Sequence, residues 1–262
     1  MSASYDETYF EKLYQVEDRH FWFRTRKAIV AALCSNIVVS LPDGYRVMEI
    51  GCGTGHLLKT LKDTCVNGEV VGLDLFWEGL AFASQRTNAS LVQGQAEWMP
   101  FVEGNFDLIG MFDVLEHLEN DEEILGSVLK MLKKGGKLML TVPAERQLWS
   151  TTDLIAHHQR RYEMEELKQK LVKSGFQIDY ISECMQALHP LARMRPPAPV
   201  VIGEMSKADD LKLHKEIIHE LKLLPVLNEI AFRVLSLEIK QIRNYKPMKR
   251  GTSIIAVARR PD

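Results

Sequence analysis

The chain has 262 residues, of which 46% are hydrophobic and 26% charged. That fits one large globular domain, or a domain with an elaborate insertion, and excludes disordered, collagen-like and coiled-coil architectures. Thirty-three Lys and Arg against 35 Asp and Glu leave a net charge of −2, so no global field draws in nucleic acid or an anionic membrane.

The first residues, MSASYDETYF, carry neither the basic nor the apolar stretch of a signal peptide. The longest charge-free run, residues 28–42, is shorter than the ~18 residues of a spanning helix. Cys34, Cys52, Cys65 and Cys184 show neither CxxC spacing nor a disulfide framework and suit a reducing compartment, so a cytoplasmic location is expected.

In chain order, residues 1–44 read as helix around a knot of aromatics and bases, His20-Phe21-Trp22-Phe23-Arg24-Thr25-Arg26-Lys27. Short β-rich runs follow at 45–50, 69–75, 90–92, 106–111 and 137–142, alternating with helical patterns, which predicts an α/β fold with a largely parallel sheet. The clearest helix spans 121–134, where Ile124, Leu125, Val128, Leu129 and Leu132 form one apolar stripe. Asn120 with Glu123 suggests its N-cap, and Lys133-Lys134-Gly135-Gly136 its cationic end. A further helix runs from about 163 to 174 and stops at Gly175, feeding an alternating run at 176–182. Residues 184–250 interrupt the pattern with Pro190, Pro196, Pro197 and Pro199, then amphipathic helix around 225–240. A β-run at 253–259 follows. So long an excursion between two strands is usually functional.

The run Glu49-x-Gly51-x-Gly53-x-Gly55 takes a strand into a glycine turn and then a helix. Glycines let backbone approach a ligand, and the helix N-terminus offers free N–H groups. The spacing departs from G-x-G-x-x-G, because His56 stands where the third glycine would be. Asp74 ends the next strand, where a carboxylate can accept both hydroxyls of a ribose. A generic nucleotide turn, or a loop serving only packing, explains the glycines alone but not the pair.

With Gly94-Gln95-Ala96-Glu97, the run 106–118 ending Asp113-Val-Leu-Glu116-His117-Leu118, and Leu132-Lys-Lys-Gly-Gly136, these segments resemble the successive motifs of class I S-adenosylmethionine-dependent methyltransferases over about half the chain. The resemblance implies a Rossmann-like seven-stranded sheet, mostly parallel, with its last strand (253–259) antiparallel and helices on both faces. A helical lid (1–44) and a helical acceptor-side cap (184–250) would flank a core of 45–183 plus 251–262. It implies cofactor contacts at Arg26, Glu49, Gly51, Cys52, Gly53, Gly55, Asp74, Leu75, Gln95, Ala96, Glu97 and Asp113. Of these, Asp74 would hold the ribose and Arg26 the methionine carboxylate. Most relatives carry aspartate at the position of Gln95, whose amide oxygen can also accept the adenine amino group. The product would be S-adenosyl-L-homocysteine.

Methyl transfer from an activated sulfonium needs alignment, exclusion of water and, for a hydroxyl acceptor, a base. His117 and His158 are the candidates, both expected at the carboxyl edge of the sheet. His158-x-Arg160-Arg161-Tyr162 resembles a motif of a bacterial subgroup acting on small molecules and glycan precursors, whose N-terminal His-Phe-Trp-Phe-type segment and late Gly-Thr-Ser strand are also similar to His20–Phe23 and Gly251–Ser253. Against a catalytic His158 stands a role as helix cap near Glu163. Arg160 and Arg161 can hold an anionic substrate or pair with Glu163, Glu165 and Glu166. Alternatively Asp113-x-x-Glu116-His117, with His158, resembles the divalent metal site of ubiquinone and small-RNA O-methyltransferases, where the metal would replace the base.

The first reading is therefore an enzyme with a small-molecule acceptor and no metal. The alternatives are a metal-assisted O-methyltransferase on RNA or a quinone-type lipid, and a non-catalytic cofactor-binding module. One short aromatic–basic cluster in a near-neutral chain argues against nucleic acid. The apolar stripe of 225–240 reads as a packed cap or dimer face, leaving monomer and homodimer open. The adjacent Arg243, Lys246, Lys249 and Arg250 leave peripheral membrane contact open as well.

Overall fold

A computed structural model describes residues 7–195, 198 and 224–262. Pro196, Pro197, Pro199 and much of the expected insertion lie outside the described residues. Strand side chains alternate between two faces with period two. In β1 (Arg46–Ile50) Val47 joins one apolar cluster, while Met48 and Ile50 join the other. In β4 (Phe106–Phe112) Leu108 and Phe112 oppose Ile109 and Met111 in the same way, and in β5 (Leu132–Pro143) Met139 opposes Leu138, Leu140 and Val142. Both faces are apolar, so both must be covered.

Seven strands pair in the order β3-β2-β1-β4-β5-β7-β6, with β2 (Glu69–Asp74), β3 (Ser90–Gln93), β6 (Gln177–Cys184) and β7 (Ser253–Arg259) completing the sheet. Strands β1 to β5 pair in parallel, and β7 is antiparallel to both of its neighbours, as expected from the sequence. One face carries α2 (Phe21–Val38), α3 (His56–Thr64), α4 (Trp77–Arg86), α9 (Pro225–Ser236) and α10 (Ile239–Arg243), following α1 (Glu7–Val16). The other carries α5 (Asp121–Met131) and α7 (Met164–Lys173). Two short helices, α6 (Thr151–Ile155) and α8 (His189–Arg193), sit on the loops. From α5, Ile124, Leu125 and Val128 are fully buried, a burial that contributes about 1.5–3 kcal/mol for each large side chain.

Three boundaries depart from the sequence reading. The helix expected to 134 stops at Met131, because the carbonyls that would extend it have distant partners. Gly104 N–H donates to Lys130, Asn105 N–H to Met131 and the Arg260 guanidinium to Leu132. Asn120 precedes α5 without a side-chain cap, and Asp121 anchors that end instead. The helix expected over 225–240 divides after Ser236. There Leu237 and Glu238 take short i→i−3 bonds, and the Glu238 carboxylate accepts the N–H groups of Met185 and Gln186, at 2.7 Å each.

Candidate active site

The alternation that builds the core also aims the site. Glu49 shares the face of Val47, and Thr141 that of Met139, so both turn toward α2. From α2, the buried Arg26 forms an ion pair with Asp113 and donates to the Thr141 hydroxyl (2.7 Å), which donates to Asp113 (3.0 Å). Arg26 thus reaches the loop after β4, although its expected partner was a ligand carboxylate. Asp113 itself has φ +52.

The glycine loop turns under Asp74. Gly53 N–H donates to Asp74 Oδ2 (2.7 Å) and Phe76 N–H to Oδ1 (2.9 Å). Burial pushes the Asp74 carboxyl up, with these amides opposing. At Gly53 (φ +47) an added Cβ would meet open space, whereas at Gly55 (φ +78) it would sit 2.9 Å from the Ala83 backbone. One glycine leaves room for a ligand and the other lets α3 pack on α4. Cys52 is core, its sulfur against Gly72. Gly51 turns beneath Val114.

Glu49 is fully buried, and among the described residues its Oε2 has no bonding partner. Burial, then Asp74, push its carboxyl well above the usual range. Beyond β3, Gly94 N–H donates to the Asp74 carbonyl (2.9 Å), bringing Gln95, Ala96 and Glu97 beside Leu75 as an open rim. A buried carboxyl with one oxygen unbonded among the described residues, a buried aspartate and an open glycine at one strand edge fit a ligand that brings hydroxyl and ammonium donors.

Across the edge, His158 Nδ1 bonds Asp153 Oδ1 at 2.9 Å, and His158 Nε2 lies 3.8 Å from Glu116 Oε1. The ring of His117 stands edge-on to that of His158, at 4.9 Å between centroids. Among the described residues, ligand atoms of Glu116, His117 and His158 lie within 4.8 Å of one another. Glu116 is fully buried with neither carboxylate oxygen bonded among the described residues, and burial, then Asp113, push it well up. Burial, then His158, push His117 down to about 4, so it is neutral at pH 7.

Asp153, fully buried, was not among the residues singled out from sequence. It also accepts from Arg161 Nε (2.8 Å), the Ser150 amide (2.8 Å) and the Ser150 hydroxyl (3.1 Å). Burial pushes its carboxyl up, but the His158 bond and the Arg161 charge outweigh that and hold it below the usual range. Ser150-x-x-Asp153 is a capping-box spacing, which was the sequence signal that could have found it.

The His158–Tyr162 motif is a clamp. Arg160 pairs with Asp121 (3.1 Å), Tyr162 donates to Asp121 (2.8 Å), and Arg161 joins Asp153 to the Ala144 carbonyl (3.0 Å). Neither arginine pairs with Glu163, Glu165 or Glu166 as the sequence suggested, since Asp121 and Asp153 are buried beside them. His158 does not cap α7 either, because Glu163 and Glu166 form that cap.

The aromatic knot packs inward. Arg24 pairs with Glu229 (2.9 Å) and lies 3.8 Å from the centre of the Phe232 ring, while Phe21 N–H donates to Asn228 (2.7 Å). Glu17, a second residue missed from sequence, bonds Thr54 of the glycine loop and Arg86 of α4 (2.5 Å each). Among the described residues, no helix is long and apolar enough to cross a membrane.

Residues 48–140 match the model of a family described as a methyltransferase domain. An uncharacterized protein of Methanocaldococcus jannaschii is 32% identical over 54% of this chain and 48% of its own length. A Mycolicibacterium smegmatis protein named as a probable S-adenosylmethionine-dependent methyltransferase is 25% identical over 62% of each chain. The match thus spans about half to three-fifths of these relatives. Among solved structures, phosphoethanolamine N-methyltransferase 2 of Haemonchus contortus with S-adenosyl-L-methionine superposes with a TM-score of 0.62 at 17% identity, over 100% of this chain and 59% of that one. The complex of the Haloferax volcanii Trm112 activator with a methyltransferase matches at 0.60 and 16%, over 98% and 96%. Strand order and matched segment agree: residues 48–140 match a methyltransferase-domain family, and the seven-stranded sheet has the fold of the solved methyltransferases on which the chain superposes.

Proposed function

We propose that the chain is an S-adenosylmethionine-dependent methyltransferase that methylates an oxygen of a small-molecule or glycan-precursor acceptor, with His158 as base. The Asp153–His158 pair carries this reading. A buried carboxylate bonded to Nδ1 fixes the imidazole tautomer and leaves Nε2 to take the hydroxyl proton. The cofactor, when bound, supplies a methyl on a sulfonium leaving group. Asp74 holds the ribose, Glu49 and the glycine loop hold the methionine end, and Gln95 and Ala96 border the adenine. Arg26, paired with Asp113, orders the floor between them or takes the methionine carboxylate. The match of residues 158–162 to the glycan-type subgroup belongs to this proposal.

A second reading is favoured by one observation, the unbonded Glu116 carboxylate beside two imidazoles. A divalent cation there would be held by Glu116, His117 and His158 and would lower the pKa of an acceptor hydroxyl. Supporting oxygen as acceptor, a fatty-acid O-methyltransferase of Mycolicibacterium smegmatis is 32% identical over 38% of this chain and 37% of its own length.

Calorimetric binding of S-adenosylhomocysteine, with Asp74→Ala as control, tests the cofactor site. At least a ~100-fold loss is expected from removing both ribose bonds and the Gly53 support. Equal affinity would refute the assignment. Transfer of tritiated methyl to small-molecule, lipid and RNA fractions, with and without chelator, then separates base from metal.

A further inference from the structure

Three non-glycine residues in the left-handed region meet on one wall at the carboxyl edge: Glu145 (φ +55) after β5, Met185 (φ +62) after β6 and Arg250 (φ +64) before β7. L side chains rarely adopt this conformation, and such residues concentrate where a loop is held for a purpose. Each is tied down. Glu145 bonds His189 Nε2 at 2.9 Å, Met185 N–H donates to Glu238, and Gly251, next to Arg250, donates to Glu183 at 2.8 Å. Gly251 lies so close to the Cys184 backbone that an added Cβ would fall 2.2 Å from its carbonyl oxygen.

Between them opens a cavity of about 660 Å³, lined by Glu145, Gln186, His189, Arg193, Lys249 and Arg250 among others. That is within the ~300–1,000 Å³ usual for small-molecule sites. Its charge is lopsided. The one carboxylate, Glu145, is bonded by His189, and among the described residues Arg193, Lys249 and Arg250 have no ion-pair partner. Lys249 and Arg250, which looked in the sequence like part of a basic surface tail, therefore line a concave site. The adjoining groove, about 410 Å³, shares Glu145 and Arg193 but adds Glu163, Glu165 and Glu183. Like-charge repulsion bars an anion from that side and confines it to the basic one.

We propose that this cavity is the acceptor pocket and selects a small molecule bearing a phosphate or carboxylate, held by Lys249, Arg250 and Arg193. The proposal rests on the methyltransferase reading above. The pocket is coupled to the base, since Arg161 bonds both the Ala144 carbonyl, next to Glu145, and Asp153, which holds His158.

The test titrates the full chain with inorganic phosphate and with acetate by calorimetry, in wild type and in a Lys249→Gln, Arg250→Asn double variant. Both positions are exposed, and asparagine tolerates the left-handed conformation. Saturable binding of at least one anion is expected, weakened at least ~10-fold in the variant, with S-adenosylhomocysteine affinity kept within about twofold. Equal anion binding in both proteins, or none in wild type, overturns the pocket. Co-sedimentation with phosphatidylglycerol vesicles that the variant abolishes, without saturable binding of free anion, also overturns it in favour of a lipid surface. Failure of wild type to bind S-adenosylhomocysteine instead overturns the methyltransferase reading on which the pocket rests.

Discussion

Replacing Asp153 by Asn leaves the shape of a fully buried side chain almost unchanged and removes its charge. The carboxylate accepts four bonds: from His158 Nδ1, Arg161 Nε, the Ser150 amide and the Ser150 hydroxyl. An amide has one acceptor oxygen. If that oxygen keeps His158 and Arg161, its NH2 group opposes the Ser150 N–H. Turned around, it opposes two other donors. The Arg161 side chain, 13% exposed, also loses its charged partner. Breaking a buried pair costs about 3–5 kcal/mol, and since the amide oxygen keeps two of the four bonds the lower end, about 3 kcal/mol, is expected. Urea denaturation of Asp153→Asn against wild type measures it. The same variant should shift the His158 tautomer, read from its ring ¹⁵N resonances, because Nδ1–H no longer meets a carboxylate. Methyl transfer should fall by about 10²–10⁴ once an acceptor is in hand. A stability loss under about 1 kcal/mol together with an unchanged tautomer would show that Asp153 does not hold His158, and the proposed base would lose its support.

Two glycines should respond in opposite ways. Gly55→Ala strains a left-handed residue and drives a Cβ against the α4 backbone, so stability should fall by more than the ~1–2 kcal/mol of the conformation alone. Gly53→Ala should cost no more than that conformation, yet should weaken S-adenosylhomocysteine binding more, since its Cβ enters the open cradle; the reverse order by denaturation and calorimetry would refute this. Burial lowers the His56 imidazole below its ordinary value of ~6.5, so below that pH the unfolded chain binds more protons and stability falls as pH drops through that value. His56→Gln should flatten the slope in that window, and an unchanged slope would place the proton uptake elsewhere.

The sheet was legible because each strand announces itself locally. The alternation of Val47 with Met48 and Ile50 shows two covered faces, and Gly51-x-Gly53-x-Gly55 marks the turn out of the first strand. Helix ends were less legible, since they depend on distant claims. Leu132 fits the apolar stripe of α5, but its carbonyl belongs to Arg260 and its backbone to the sheet. Charged partners were least legible. Nothing near Arg160 or Arg161 in sequence points to Asp121 or Asp153, because the acidic run at 163–166 is nearer along the chain while the buried aspartates are nearer in space. Glu17 and Arg86 join only when α1 lies over α4, a contact that no local pattern encodes.

Among the described residues strand β6 pairs with β7 alone, and β7 lies between it and β5. As the chain leaves the ribosome, β6 is made about 75 residues before the strand that must join it to the sheet. At ~5–20 residues per second, that leaves β6 and the open edge of β5 waiting about 4–15 s, both with unpaired backbone groups. During synthesis this edge is where the nascent chain is most exposed to mispairing and to chaperone capture. A ribosome stalled before β7 should therefore carry a domain whose glycine loop is already built while β6 still waits outside the sheet.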